Sequence, residues 1–417
     1  MHAGAMTYVH RYLSHAIRRA ARTFPAILVT GARQTGKTTL LRHEFGKSHR
    51  FVSLDRPDVR ARAQADPLAF LGDHPAPLVL DEIQYAPDLL HFVKERIDAD
   101  RKPGRFILSG SQSFALMKGV SESLAGRIAV LSLDPFSVAE SSANPASPSI
   151  DALLDRVFGD GRFSSTSLDL GDWLLRGGYP EIRASSNVDR SLWFSSYVQT
   201  YLERDVRDLL QVGDLDAFGR FLALAASRTG SLLNMTDLGR DAGVTGPTIR
   251  RWVSVLEASH VVFLLPPYHE NYGKRVIKSP KLYFTDPGLA SYLLGLHTAE
   301  AILGGPTAGP LTETAVVSEW LKAFRQRGER PSLYFWSTGR GIEVDLLIER
   351  NGRLHALEVK ATATPTPHHA DALAAFLEVA AGKKKKKAQP RAALACRVAA
   401  PMALRPGIRA VPWHLDG

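Results

Sequence analysis

The chain has 417 residues, 45% hydrophobic and 23% charged, the balance of an ordinary globular protein of about three domains; no apolar run reaches the roughly 20 residues of a membrane helix. Cys396 is the only cysteine, so an internal disulfide is excluded, and the N-terminus lacks the pattern of a secretory signal; both predict a cytoplasmic protein that makes no use of a membrane. The net charge of +10 favours a polyanionic partner such as nucleic acid.

From Pro25 to about Leu133, short apolar stretches alternate with helical ones. "AILVT", "RFVSL", "PLVLDE", "RFILSG" and "IAVLSL" read as strands, and the alternation predicts a parallel sheet with helices on both faces. Gly31 to Thr38 fits G-x-x-x-x-G-K-[ST] directly after the first strand and opens a helix, which is the context a phosphate-binding loop requires. Backbone amides of the loop and helix N-terminus then cradle phosphate oxygens, so Gly31, Gln34, Thr35, Gly36, Lys37, Thr38 and Thr39 are the expected nucleotide contacts. Lys37 is expected on the β and γ phosphates and the Thr38 hydroxyl on magnesium. "PLVLDE" ends in Asp81 and Glu82. The first suits a magnesium ligand and the second the base that activates the attacking water. The reading is ATP or GTP hydrolysis.

Ser- and Pro-rich passages between residues 141 and 167 predict loops at a domain edge, and "WFSSYVQTYLERDVRDLL" predicts helix. In "NMTDLGRDAGVTGPTIRRWVSVLEASHVVFLL", two helices are joined by a short Gly-containing turn. Thr236 is the expected cap of the first, and Thr245 or Gly246 precedes Pro247 at the start of the second. Ile249, Trp252, Val253 and Leu256 recur at helical spacing and predict a buried stripe, which leaves Arg250 and Arg251 outward. The strands "HVVFLLPPYHE" and "PKLYFTD" flank "NYGKRVIKS", a basic wing carrying Lys274, Arg275 and Lys278. A winged helix of this kind binds nucleic acid or serves as a protein adaptor, and the basic exposed positions favour DNA.

"GIEVDLLIERNGRLHALEVKAT" predicts a β-hairpin turning at Asn351-Gly352. That turn sets Asp345 opposite Glu358 and Glu343 opposite Lys360 on one face. Val344, Leu346, Ile348, His355, Leu357 and Val359 form the other, mostly core, face. Opposed β-carbons lie about 5 Å apart, within reach of a divalent cation shared by Asp345 and Glu358; Lys360 would sit beside it. This pattern is similar to the PD-(D/E)XK nuclease core, and that similarity implies Glu313 as the upstream helical glutamate. The run Lys383 to Lys387 reads as a solvated loop.

The set "TGARQTGKTTL", "LDEIQ", "ILSGSQS", "SLAGR", "RGGYPE" and "YLERDV" resembles a bacterial and archaeal AAA+ ATPase family carrying a C-terminal domain of unknown function. The resemblance runs from about residue 25 to the end. It implies ATP and Mg²⁺ as cofactors, Ser109 or Ser111 as a sensor of the γ phosphate, and Arg127 as a finger offered to a neighbouring subunit in a homo-oligomer such as a hexameric ring. The expected fold is α/β: a P-loop AAA+ parallel sheet over residues 1–140, a helical lid or linker over 141–215, a winged helix over 216–300 and a PD-(D/E)XK-like domain over 301–417. The function expected is an ATPase that binds and moves or remodels DNA, including branched DNA such as a Holliday junction. An ATP-dependent nuclease and a nucleotide-switched interaction protein of a defence or toxin-antitoxin system are the alternatives.

Overall fold

Strands apolar on consecutive residues belong in a sheet covered on both faces, and five short strands build the first part of the fold, the three central ones buried at every position and the two edge ones partly exposed. The computed structural model describes all residues except 1–7, 112–118, 121, 164–167, 186, 203–213, 270–278, 339–340, 382–387 and 417. Strands β1 (Ala26–Thr30), β2 (Arg50–Ser53), β3 (Leu78–Asp81), β4 (Phe106–Ser109) and β5 (Ile128–Ser132) fall on the five predicted stretches. They form an all-parallel sheet in the order β2-β3-β4-β1-β5. Alternate residues face opposite ways. Leu28, Leu80 and Leu108 pack with Val93 and Ile97 of the helix Leu89–Ala99. Ile27, Val79 and Ile107 pack with Leu13 and Ile17 of the helix Leu13–Ala21 and with Leu40 of the P-loop helix Lys37–Phe45.

A second core is continuous from Val138 to Trp413 and includes Trp173, Trp252 and Trp320. The segments expected as helical linker, winged helix and C-terminal domain therefore share one hydrophobic interior. The helices Leu215–Ser227, Met235–Ala242 and Gly246–Ala258 lie beside a three-stranded antiparallel sheet of β6 (Ser231–Leu232), β7 (Val262–Leu265) and β8 (Lys281–Phe284), ordered β6-β8-β7. Thr245 caps the third helix through the amide of Thr248. The cap of Met235–Ala242 is Asn234 and not Thr236 as expected: the Asn234 side chain accepts from the amides of Thr236 and Asp237 at 3.0 and 3.2 Å. Ile249, Trp252, Val253 and Leu256 are buried, and Arg250 and Arg251 are exposed. The wing residues Lys274, Arg275 and Lys278 and the run Lys383 to Lys387 lie outside the described residues.

The long helix Ala308–Gln326 is buried along most of its length, and its buried residues include Thr312, Thr314, Ser318, Glu319, Lys322 and Gln326 beside the apolar ones. It covers one face of a six-stranded mixed sheet, ordered β13-β14-β12-β11-β10-β9. Its strands are β9 (Leu333–Ser337), β10 (Glu343–Arg350), β11 (Arg353–Val359), β12 (Arg391–Cys396), β13 (Met402–Arg405) and β14 (Ile408–Pro412). Asn351 and Gly352 take left-handed φ of 50 and 73° at the predicted turn, and Leu346 pairs with Leu357 and Arg350 with Arg353, the expected register.

Two features depart from the reading of the hairpin. It lies inside the sheet and both its faces are covered: Leu346, Ile348 and Leu357 join the large core, while Leu347 and Ala356 pack with Leu373 and Phe376 of the helix Asp371–Ala381. A register shift against β9 between Val344 and Leu347 also moves Val344 into the Leu347 group, away from Leu346 and Ile348. A bulge inserts one residue and reverses the alternation beyond it.

Candidate nucleotide site and the groups around it

The P-loop leaves β1 through a glycine that no other residue can replace. Gly31 has φ of 148°, and a β-carbon there would meet the Leu133 carbonyl oxygen at 2.1 Å. Gly36, at φ of 88°, is the left-handed residue from which the helix Lys37–Phe45 starts. Between them Thr35 is buried, its Oγ1 donating to the Ala32 carbonyl at 2.8 Å. Lys37 Nζ donates to the carbonyls of Gly31 and Ala32 at 3.0 and 2.9 Å.

Parallel strands end at the same edge of the sheet, and this brings β3 and β4 to the loop. Asp81 is 3% exposed; Thr38 Oγ1 donates to its Oδ2 at 2.9 Å, and Ser109 Oγ donates to its Oδ1. Of the two candidate sensor serines, Ser109 is the one that reaches this carboxylate. A hydroxyl and a carboxylate side by side are hard oxygen donors of the kind magnesium takes, so Thr38 and Asp81 fit the cation that accompanies ATP. Glu82 follows at a left-handed φ of 61°, with Gln84 Nε2 donating to its Oε2. A cavity of about 430 Å³ opens here, lined by Gln34, Gly36, Lys37, Thr38, Thr39, Asp81 and Glu82 among the expected residues and by Arg33, Arg42, Ser53, Asp55 and Tyr85 besides. The position of Asp55 just beyond β2 was legible in principle, because α/β sheets place ligands at the carboxyl ends of their strands.

Arg127 lies at the other end of the sheet. Its carbonyl accepts from the amide of Ala26, where β1 begins, and its guanidinium holds both oxygens of Asp98 at 2.6 and 3.1 Å. A role in its own chain's nucleotide site is excluded by that placement.

Sequence reasoning missed Arg11, which precedes every recognised motif. It is 3% exposed, donates to the Thr35 carbonyl of the P-loop at 2.8 Å and to the Asp134 carbonyl at 2.7 Å, and pairs with Glu140 at 3.1 Å. The same segment after β5 is also held by the end of the long helix. Arg325 donates to Asp134 Oδ1 at 2.7 Å, Lys322 to the Phe136 carbonyl at 3.0 Å and Gln326 to Glu140 Oε2 at 3.0 Å. Glu319 accepts from the Val138 amide at 2.9 Å. The phosphate loop is thus tied to the C-terminal body through residues 134–140.

The candidate C-terminal residues also come together. Glu313 on the long helix and Glu358 on β11 stand close to Asp345 on β10: burial first, then the charges of Glu313 and Glu358, push Asp345 well above the usual carboxylate range. Asp345 Oδ2 accepts from the Val359 amide at 2.8 Å and Lys360 Nζ donates to Glu358 Oε1 at 2.6 Å. Among the described residues no three His, Cys, Asp or Glu side chains are placed to hold a metal ion.

A phosphate loop, a strand-end aspartate bonded to its threonine and a serine from the next strand, on a parallel sheet of this order, define a P-loop ATPase of the AAA class. The family described as AAA domain matches residues 23–142; two domains of unknown function, DUF8612 and DUF4143, match residues 167–300 and 308–414. The chain belongs to the family of the uncharacterized proteins Mb2031c of Mycobacterium bovis and Rv2008c of Mycobacterium tuberculosis. Each is 33% identical over 351 residues, which span 84% of this chain and 73% of theirs. Among solved structures it is similar to the Walker-type ATPase PABY2304 of Pyrococcus abyssi, at 15% identity and a TM-score of 0.41 over 67% of this chain and 94% of that one. It is also similar to a RuvB variant of Thermotoga maritima, at 20% identity and a TM-score of 0.29 over 61% and 87%. No helix among the described residues is long and apolar enough to cross a membrane.

Proposed function

We propose that the protein is an oligomeric, magnesium-dependent ATPase that binds DNA and uses hydrolysis to move along it or remodel it. The observation that carries this reading is the connection between two ends of one body. One end presents Arg250 and Arg251 outward from a helix whose apolar stripe is buried; the other is bonded to the phosphate loop through Arg11, Asp134 and Arg325. In this reading Lys37 neutralises the β and γ phosphates, Thr38 and Asp81 hold magnesium, Glu82 orients and deprotonates the attacking water, and Ser109 registers the γ phosphate through Asp81. The loop and helix amides, with Gln34, Thr35 and Thr39, complete the phosphate cradle.

DNA is expected to be gripped by a winged helix, with Arg250 and Arg251 on phosphates and Lys274, Arg275 and Lys278 on the wing. Branched DNA such as a four-way junction is the substrate this combination suits. The test is the ATPase rate with single-stranded, duplex and four-way DNA. The expected result is stimulation by DNA, strongest with the junction; equal rates with and without DNA would overturn the reading in favour of a protein adaptor. Changing Arg250 and Arg251 together to alanine should weaken DNA binding and flatten its salt dependence by about one unit of slope per lost phosphate contact.

A homo-oligomer, for which a hexameric ring is the natural form, places Arg127 of one subunit at a neighbour's nucleotide. Its position away from the site of its own chain supports that role, and Asp98 holds it until a neighbour docks. Arg127→Ala should then keep nucleotide affinity, slow hydrolysis, and regain turnover when mixed with Glu82→Gln subunits. No regain, together with a single monomeric species in sedimentation, would leave Arg127 as the partner of Asp98 alone.

A further inference from the structure

The carboxylate cluster of the C-terminal sheet contains a residue that no hairpin pattern supplies. Lys281 comes from β8, in the small antiparallel sheet, and is 3% exposed. Its ammonium stands 3.1 Å from Glu313 Oε1 and 2.5 Å from Glu343 Oε1. Tyr283, two residues along the same strand, donates its hydroxyl to the same Glu313 oxygen.

We propose that Lys281 is the resident cation of this cluster, so that the site is a metal-free clasp joining the small antiparallel sheet to the C-terminal sheet, with no hydrolytic role.

Each carboxylate already spends an oxygen on a protein donor: Glu313 on Lys281 and Tyr283, Glu343 on Lys281, Asp345 on the Val359 amide and Glu358 on Lys360. Glu358 Oε2 is buried without a hydrogen-bond partner among the described residues. With one oxygen of each engaged, the four carboxylates keep at most one apiece for a metal, fewer than the about six that a divalent cation of the hard class takes. The positive charges of buried Lys281 and half-exposed Lys360 do locally what a metal ion would do, at no cost in coordination geometry. Burial works against the charge on Lys281, but Glu313, Asp345 and Glu343 outweigh it and hold the ammonium protonated above its ordinary range. Asp345 is pushed the other way, towards its protonated form, first by burial and then by Glu313 and Glu358, so a proton adds to the compensation.

The clasp has a mechanical consequence for the hairpin of β7 and β8. Next to it the chain pairs directly with the C-terminal sheet: the Tyr268 amide donates to the Phe335 carbonyl at 2.7 Å, and the Phe335 amide to the Pro266 carbonyl at 3.1 Å. Lys281 fixes the second strand of that hairpin as these bonds fix the first. Both strands are therefore anchored on the sheet that carries the acids, and the base of the hairpin keeps one orientation.

The test uses the full chain with Asp81→Asn, which silences cation binding at the nucleotide site, and follows Mn²⁺ by electron paramagnetic resonance. The expected result is no stoichiometric Mn²⁺ in this background and, in the wild-type chain supplied with ATP, no DNA cleavage with Mn²⁺ or Mg²⁺. One Mn²⁺ per chain, lost again on Asp345→Asn, would overturn the proposal, as would metal-dependent cleavage. In the same background Lys281→Met should lower the melting temperature by leaving Glu313 and Glu343 uncompensated, and adding Glu313→Gln should recover part of the loss. An unchanged melting temperature in Lys281→Met would also overturn it. If Lys281→Met does not fold, the Mn²⁺ and cleavage results on the parent chain decide alone.

Discussion

Replacing Lys37 by alanine is expected to reduce ATP hydrolysis by about 10²–10³-fold, the usual cost of removing one preorganised donor from developing charge. The side chain is 6% exposed and is aimed along the loop by the carbonyls of Gly31 and Ala32. In the proposed mechanism alanine would leave the loop without the cation that offsets the phosphate charge. Glu82→Gln should differ in kind: it keeps the amide cradle and Asp81 and loses only the base, so nucleotide stays bound and unhydrolysed. Measuring turnover beside binding of a fluorescent ATP analogue separates the two. Normal turnover in the Lys37→Ala protein would end the assignment of this loop as the catalytic site.

The second large effect is expected at Arg11. Arg11→Ala should lower stability by about 3 kcal/mol, the lower end of the range for breaking a buried ion pair. The discount has a structural reason: Glu140 keeps donors from the amides of Tyr12 and Ser137 and from Gln326, at 2.9, 3.0 and 3.0 Å. Hydrolysis should slow as well, because the Thr35 carbonyl and Asp134 lose the group that joins them. Arg11→Lys should recover little, since one ammonium cannot reach three acceptors that a planar guanidinium spans. Urea unfolding and steady-state ATPase rates check both parts, and an unchanged unfolding midpoint in Arg11→Ala would refute the first.

Local regularity explains what was legible in the sequence. The five parallel strands announce themselves as consecutive apolar residues, the loop as a fixed glycine spacing, and the hairpin register follows from Asn351-Gly352 because a two-residue turn admits one pairing. The stripe Ile249, Trp252, Val253 and Leu256 is equally local. Arg11 and Lys281 were missed because their partners are remote in the chain: Glu140 lies 129 residues from Arg11, and Glu313 lies 32 from Lys281. No periodicity spans such gaps. The bulge beside Val344 arises from pairing with β9, a strand the hairpin's own residues do not specify. The cap at Asn234 was missed for a subtler reason, as Thr236 is an equally good capping type and only the backbone turn decides which side chain reaches the free amides.

The ties between residues 134–140 and the end of the long helix bear on how this protein can change over evolutionary time. A stretch ending near residue 142, where the AAA domain match stops, would carry away Asp134, Phe136 and Glu140 without Arg325, Lys322 and Gln326. Such a piece would expose an underside of unmatched charge and open carbonyls. The ATPase part is thus a poor currency for gene fusion.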